Sequence, residues 1–320
     1  MHIDWHRVLL FALLFIPFLL ACGFTYEWTG GRRDLRLRPE PGRLVSVGSH
    51  KLHLLSMGTV APTVVIEQGA GELSRFWWPL QDKVAEFARV CTYDRAGFGW
   101  SEPVRNGRTI EDRVEELHTL LTRANVKGPY IFVAHSYGGL MVRSYARKYP
   151  NETGALVLVD TPEESSIFRK EVLDFYSKVR IMQRVVALFA RFGLLRLLRL
   201  WFPLDQFGFW LDRPDEYLAL CDDLASLERV PQSERSSKAA GSLGDLPMIV
   251  LTHGQAFPGP FAILEKNWNE GQQRLVALSS NSKLVVAENS NHMIQQDEPE
   301  LVLSAIKEMH AAVGSGCRVS

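Results

Sequence analysis

Short apolar runs and longer amphipathic stretches alternate along most of this chain. The runs are "RLVSVGSHKLHLLSMG" around Gly48-Ser49, "TVVIEQGAG" at 63–71, "RVCTYDRAGFGWS" at 89–101, "YIFVA" at 130–134, "ALVLVD" at 155–160, "PMIVLTHG" at 247–254 and "KLVVAE" at 283–288. The first reads as two strands and each of the others as one, because short runs rich in β-formers suit strands. Helices are predicted for "FWWPLQDKVAEFA", "TIEDRVEELHTLLTRAN", the stretch from Leu140 to Lys148 closed by Pro150, "LEKNWNEGQQRLVALS" and the segment from about Glu298 onward. Thr109 and Asp112 suit a capping box at the start of the second of these.

Strands that are apolar throughout and alternate with helices imply an α/β protein with a mostly parallel sheet, covered by helices on both faces. Residues 161–246 break that rhythm. They read as helical and stand between two strands, so they form an inserted helical cap at the C-terminal edge of the sheet, where open α/β sheets bind ligands. The expected organisation is an N-terminal segment 1–26, a charged Pro/Gly-bearing linker 27–42, a core of 43–162 and 245–314, a cap of 163–244 and a tail 315–320.

From Val8 to Tyr26 there are 19 residues without a charge. As a helix this run is about 28 Å long, close to the hydrocarbon thickness of a bilayer, and Pro17 would kink it without forbidding it. It suits a membrane anchor, a cleaved signal peptide or a lipoprotein signal. For the last, Leu19-Leu20-Ala21-Cys22 resembles a bacterial lipobox with Cys22 as the lipidated residue. A helix buried in the protein is the ordinary alternative. Arg32, Arg33, Arg36 and Arg38 after the run outnumber Arg7 before it, which favours a cytoplasmic main domain, whereas a signal peptide places the domain on the other side.

Composition narrows the classes. Apolar residues make up 46% and charged residues 22% of 320, enough for a well-buried core. Lysine plus arginine equals aspartate plus glutamate at 36 each, so no global nucleic-acid footprint exists. Cys22, Cys91, Cys221 and Cys317 are too scattered for a metal cluster or a disulfide framework, and Cys91 reads as a core residue.

The candidate chemistry centres on "YIFVAHSYGGLMVRSYARKYP" at 130–150. A strand that turns straight into a helix at Ser136 needs small neighbours, here Ala134, Gly138 and Gly139, and projects the hydroxyl outward. A serine capping a helix is the plainer alternative. A nucleophilic serine needs a base held by an acid. His292, in "NSNHM" just after the last apolar strand, is the candidate base.

Together these features resemble the α/β-hydrolase superfamily. The elbow around Ser136, "YDRAGFGWSEP" at 93–103, the glycine loop Gly69-Ala70-Gly71 and the late His292 carry the resemblance, which covers about residues 43–314. Two departures are Ala134 in place of the first elbow glycine and Gln68-Gly69 in place of the usual His-Gly before the oxyanion loop. A serine at the nucleophile position argues against the carboxylate-nucleophile branches. The resemblance implies an oxyanion hole from the backbone N–H groups of Tyr137 and Ala70. Asp94 and Arg95 resemble a motif that shapes its loop and are read as structural. His135 and His253 stay outside the chemistry.

The acid is the open question. In the family it commonly follows the strand after the cap, but "GQAFPGPFAIL" after that strand has no carboxylate, and Glu265 and Glu270 come too late. Asp160, closing the strand after the nucleophile's helix, fits the sheet topology, with Glu163, Glu164 and Glu288 as rivals. The expected protein is a membrane-associated serine hydrolase acting on apolar carboxylic esters through an acyl-enzyme. Other chemistry of the same triad, or a non-catalytic ligand-binding member of the fold, is the alternative. The resemblance implies no metal or organic cofactor.

The cap has its own pattern. Lys178, Arg180, Arg184, Arg191, Arg196 and Arg199 alternate with apolar residues from Lys178 to Leu204, with no acidic residue, and Gly193 divides the stretch. One reading packs the apolar stripe on the core with the arginines snorkelling outward. The other lays a basic amphipathic surface on a membrane.

Overall fold

The computed structural model describes residues 5–37, 41–104, 107–202, 213–230 and 242–315. Eight strands form one sheet: β1 (Arg43–Ser46), β2 (Lys51–Met57), β3 (Thr63–Glu67), β4 (Arg89–Tyr93), β5 (Tyr130–His135), β6 (Thr153–Val159), β7 (Met248–His253) and β8 (Ser282–Ala287). Their spatial order is β1-β2-β4-β3-β5-β6-β7-β8. The β1–β2 and β2–β4 pairs are antiparallel, and every later pair is parallel.

Both faces of the central strands are apolar, and the period of two explains why each strand reads as a continuous run. Val64, Ile66, Ile131, Val133 and Val157 point to one side, against Trp77, Val84, Val302 and Ile306. Val65, Phe132, Leu156 and Val250 point to the other, against Leu117, Leu121, Met141 and Tyr145. The covering helices include α2 (Trp78–Ala85), α3 (Ile110–Arg123) and α4 (Gly138–Lys148). The predicted box at α3 is present: Asp112 N donates to Thr109 Oγ1 and Thr109 N to the Asp112 carboxylate.

The insertion between β6 and β7 is helical: α5 (Glu164–Ile167), α6 (Lys170–Arg191), α7 (Leu194–Leu198) and α8 (Pro214–Arg229). Gly193, at φ 74°, separates α6 from α7. Of the cap expected over 163–244, residues 203–212 and 231–241 lie outside the described residues, as do most of the tail, Cys317 and Arg38. Two further helices follow β7 and β8: α9 (Trp268–Val276) and α11 (Pro299–Ser315), with the short α10 (Ile294–Asp297) between β8 and α11.

The N-terminal helix α1 runs from Trp5 to Leu37. A linker is expected from residue 27, yet the helix carries on through Leu37, eleven residues into it. Arg196 of α7 is the physical reason. Its Nε lies 3.0 Å from Glu27 Oε2 and its Nη1 2.7 Å from Asp34 Oδ2, so two turns of α1 are pinned to the cap. The segment Leu13–Asp34 is long and apolar enough to cross a membrane.

Candidate active site

Strand β5 ends at His135 and α4 begins at Gly138, leaving Ser136 and Tyr137 as the whole turn. Ser136 has φ 49°, a left-handed conformation that a serine adopts only under constraint. Its N–H donates to the Val159 carbonyl at 3.1 Å, which ties the turn to β6. The small residues around it are obligatory. A Cβ on Gly138 would meet the Gln68 carbonyl oxygen at 2.7 Å, and one on Gly139 would meet Thr161 Cγ2 at 2.3 Å. Ala134 is fully buried.

The three side chains proposed from the sequence converge. His292 Nε2 lies 2.9 Å from Ser136 Oγ, and His292 Nδ1 lies 2.6 Å from Asp160 Oδ2. They come from the C-terminal ends of β5 and β6 and the loop after β8. The rival carboxylates are engaged elsewhere. Glu163 is bound by Arg274, Glu164 pairs with Arg143, and Glu288 is exposed.

Asp160 is a fully buried charge, and a second histidine helps to hold it. His253, the last residue of β7, donates its backbone N–H to Asp160 Oδ1 at 3.0 Å, and its Nδ1 lies 2.8 Å from both carboxylate oxygens. Burial pushes the Asp160 carboxyl up, but hydrogen bonds from His253 and His292 outweigh it and hold the pKa below the usual value. The far nitrogen of His253 lies 3.4 Å from Glu265, and Asp160 with Glu265 raises the His253 pKa against the effect of burial. Phe257 and Trp268 pack against both His253 and His292, closing the acid off from water.

His135 was also set aside on sequence, and it too touches the site. Its ring stands 4.6 Å from the His292 ring. Nε2–H donates to the His292 carbonyl at 2.9 Å, and Nδ1 lies 2.9 Å from Glu72 Oε1. A carbonyl and a carboxylate only accept, so the protonated imidazole fits this place. The Glu72 partner raises the His135 pKa against burial, and Glu72 itself is held down to about 2 by His135 and by N–H donors from Gly69 and Trp77, in spite of its burial. Burial, then the neighbouring His135 charge, keep the His292 pKa below its ordinary value.

The glycine loop after β3 faces the elbow. Strand β3 lies between β4 and β5, so the chain turns to opposite sides here, and the loop and Ser136 share the crevice of that switch point. Gly69 N–H donates to Glu72 at 2.8 Å, and Gly71 N–H points to Asp223 at 3.5 Å. Among the described residues neither the Ala70 N–H between them nor the Tyr137 N–H meets a protein acceptor. Arg95 fixes the loop from behind, donating to the Gln68 carbonyl at 2.8 Å and the Gly69 carbonyl at 2.6 Å. Asp94 binds His53, Ser74 N–H and Trp100 N–H, a structural arrangement.

The cap closes on this loop through charge. Asp223 of α8 is buried and pairs with Arg95 at 2.9 Å and Arg113 at 3.1 Å, while its neighbour Asp222 takes Arg113 at 2.8 Å. Ser226, one turn on, hydrogen-bonds the Tyr137 hydroxyl at 2.7 Å. Sequence reading missed Asp223, although the acidic pair "CDDL" between the apolar residues of a helix was a visible signal.

Residues 62–200 match the family model described as the alpha/beta hydrolase fold. An uncharacterised Bacillus subtilis protein, YqjL, is 28% identical over 259 residues, spanning 80% of this chain and 86% of its own length. A thermophilic esterase from Thermogutta terrifontis aligns at a TM-score of 0.63 and 20% identity, over 85% of this chain and 99% of its own. An epoxide hydrolase from Bacillus megaterium aligns at 0.61 and 15% identity, over 83% of this chain and 99% of its own. Backbone shape therefore establishes the fold and leaves the choice of chemistry to the side chains.

Proposed function

We propose that this chain, which belongs to the α/β-hydrolase superfamily, is a serine hydrolase that cleaves carboxylic esters, apolar ones above all, through an acyl-enzyme. The observation that supports this most is the unbroken run of hydrogen bonds from Ser136 through His292 to Asp160. Ser136 Oγ attacks the ester carbonyl carbon while His292 Nε2 takes its proton. Asp160 holds the imidazole in the tautomer that presents a free Nε2 and stabilises the imidazolium that forms. The oxygen that becomes negative is met by the Tyr137 and Ala70 N–H groups. The ester C–O bond breaks, and the alcohol leaves with the proton from His292. Water then repeats the sequence, releasing the acid and restoring Ser136.

The test is reaction with a fluorophosphonate probe, followed by turnover of acyl esters of graded chain length beside a matched amide and thioester. The wild-type chain should label at Ser136 and favour the longer acyl esters. A chain that neither labels nor turns over any of them would be a ligand-binding member of the fold.

The apolar preference goes with the assignment of α1 as a membrane anchor. Ten of its apolar side chains from Leu9 to Phe24 are more than 40% exposed, so the helix is not a core element of the protein. Cleavage and lipidation at the exposed Cys22 would leave Gly23, Glu27 and Asp34 on the cap, so that route also keeps the chain at the membrane. The mass of the mature N-terminus separates the two routes. A chain starting at Arg32 should lose most of its membrane attachment.

A further inference from the structure

The apolar stripe of α6 faces away from the protein. Ile181, Met182, Val185, Leu188 and Phe189 are 48–60% exposed. Their spacing puts all five on one helix face. The opposite face buries the small Ala187 and Ala190 in one cluster with Leu73 and Phe98 of the core and Tyr217 and Ala219 of α8. The exposed surface continues past Gly193, through Leu197 and Leu200 to Trp201, which is 77% exposed. The reading in which this stripe packs on the core is therefore not what the fold does.

Helix α1 lies against the same place. A Cβ on Gly23 would sit 2.4 Å from the Phe192 carbonyl oxygen, and one on Gly193 would sit 2.9 Å from the Tyr26 ring. Two glycines thus let α1 and the α6–α7 corner touch backbone to backbone, and the Arg196 clamp holds them there. A bilayer that receives α1 must meet the α6–α7 corner as well.

Charge selects the kind of surface. Arg184 and Arg191 are exposed, and Arg180 is tied to Glu228. On a helix turning about 100° per residue, all three fall roughly 100–140° to one side of Val185. They form a basic flank between the exposed hydrocarbon and the buried face, and Lys178 stands at the stripe's N-terminal end. Hydrocarbon bordered by long cationic side chains suits an anionic membrane interface, with the stripe among acyl chains and the arginines at the phosphates.

We propose that α6 and α7 lie in the membrane interface as a second lipid contact beside α1, so that the cap meets ester substrates at the bilayer surface. This rests on the anchoring role given to α1. The test uses the full chain with Cys22 and Cys317 replaced by serine, reconstituted in vesicles of phosphatidylcholine and phosphatidylglycerol. An environment-sensitive fluorophore is placed at Val185→Cys, at Leu188→Cys and, as a control on α3, at Glu111→Cys. Positions 185 and 188 should shift to the blue and be quenched by lipids carrying a nitroxide on the acyl chain, while 111 should not. Equal, weak quenching at all three positions would overturn the proposal, as would a stripe covered by a second copy, seen as a dimer in detergent with position 185 shielded from lipid quencher. A second readout is Val185→Asp with Leu188→Asp. Turnover of a vesicle-embedded ester should fall at least tenfold, while a water-soluble short ester is unaffected. Equal loss on both esters, or loss on neither, would also count against it. If the labels report lipid contact but no ester is turned over by any form, the hydrolase reading fails and the membrane contact stands.

Discussion

Helices α8 and α6 belong to one cap, yet one buries charge and the other exposes hydrocarbon. Helix α8 presses two carboxylates into the protein, and Asp223 keeps no exposure at all. Helix α6 turns five large apolar side chains outward. A buried charge survives only with partners, and Asp223 has two guanidiniums and a nearby N–H. Exposed hydrocarbon survives only if something outside the chain covers it. The cap is thus keyed to the core by charge and offered to its surroundings by hydrocarbon. The proposed chemistry lies on the keyed side, where Asp223, Arg95 and the glycine loop meet.

Breaking the chemistry while leaving the outward side alone gives the largest expected effect. Ser136→Ala should lower ester turnover on the order of 10⁴-fold or more, with membrane attachment and thermal midpoint nearly unchanged. Residual hydrolysis within tenfold of wild type would place the nucleophile elsewhere. Asp160→Asn should cost about 10²–10⁴ in kcat with little change in KM, because the imidazole loses its tautomer rather than the site its substrate. The same amide change at Glu163, Glu164 or Glu288 should cost far less, and steady-state kinetics on the four variants decides between them.

Asp223→Ala attacks the key itself. It leaves Arg95 and Arg113 buried with one fewer partner, so unfolding should become easier by about 3–5 kcal/mol. Calorimetry reads this directly. The fluorophore response at Val185→Cys should persist in the same variant at temperatures where it remains folded. An equal loss of stability from Val185→Asp would erase the distinction between the two faces.

The smallest expected effect is a pH shift. A general base must be neutral, so turnover rises as pH climbs through the His292 pKa. That pKa is held low by burial and by the His135 charge, which places the expected acid limb below that of a free imidazole. His135→Gln removes the cation, so the His292 pKa should rise and the acid limb of kcat/KM should move to higher pH, by less than about one unit. A limb that stays in place, or moves to lower pH, would show that His135 carries no charge beside His292.

What the sequence reveals depends on how local the cause is. Each strand is a short apolar run because both faces of the sheet are covered, and that condition is written within the run itself. Ser136, Asp160 and His292 could each be proposed from a place at or just after a strand end, since parallel strands bring those ends to one edge. The roles of His253 and His135 could not. The contact of His253 with Asp160 depends on β7 lying beside β6, and 93 residues separate the pair. The Arg95–Asp223 bond spans 128 residues. The periodicity of α6 showed that one face is apolar, but periodicity says nothing of what that face meets. The overrun of α1 through Gly30 and Gly31 was hidden for a related reason. Glycines weaken a helix locally, and the residue that holds this one lies in the cap.

The Arg196 clamp also sets an order of events during synthesis. Glu27 and Asp34 leave the ribosome 169 and 162 residues ahead of their partner. At ordinary elongation rates that is a wait of roughly 8–35 seconds. During it, the end of α1 has only contacts within itself, among them the Thr29 hydroxyl on the Thr25 and Tyr26 carbonyls and Arg32 over the Trp28 ring, and its surroundings. Closing the clamp is therefore a late event: it waits for the cap, and Arg196 must find two carboxylates made long before it.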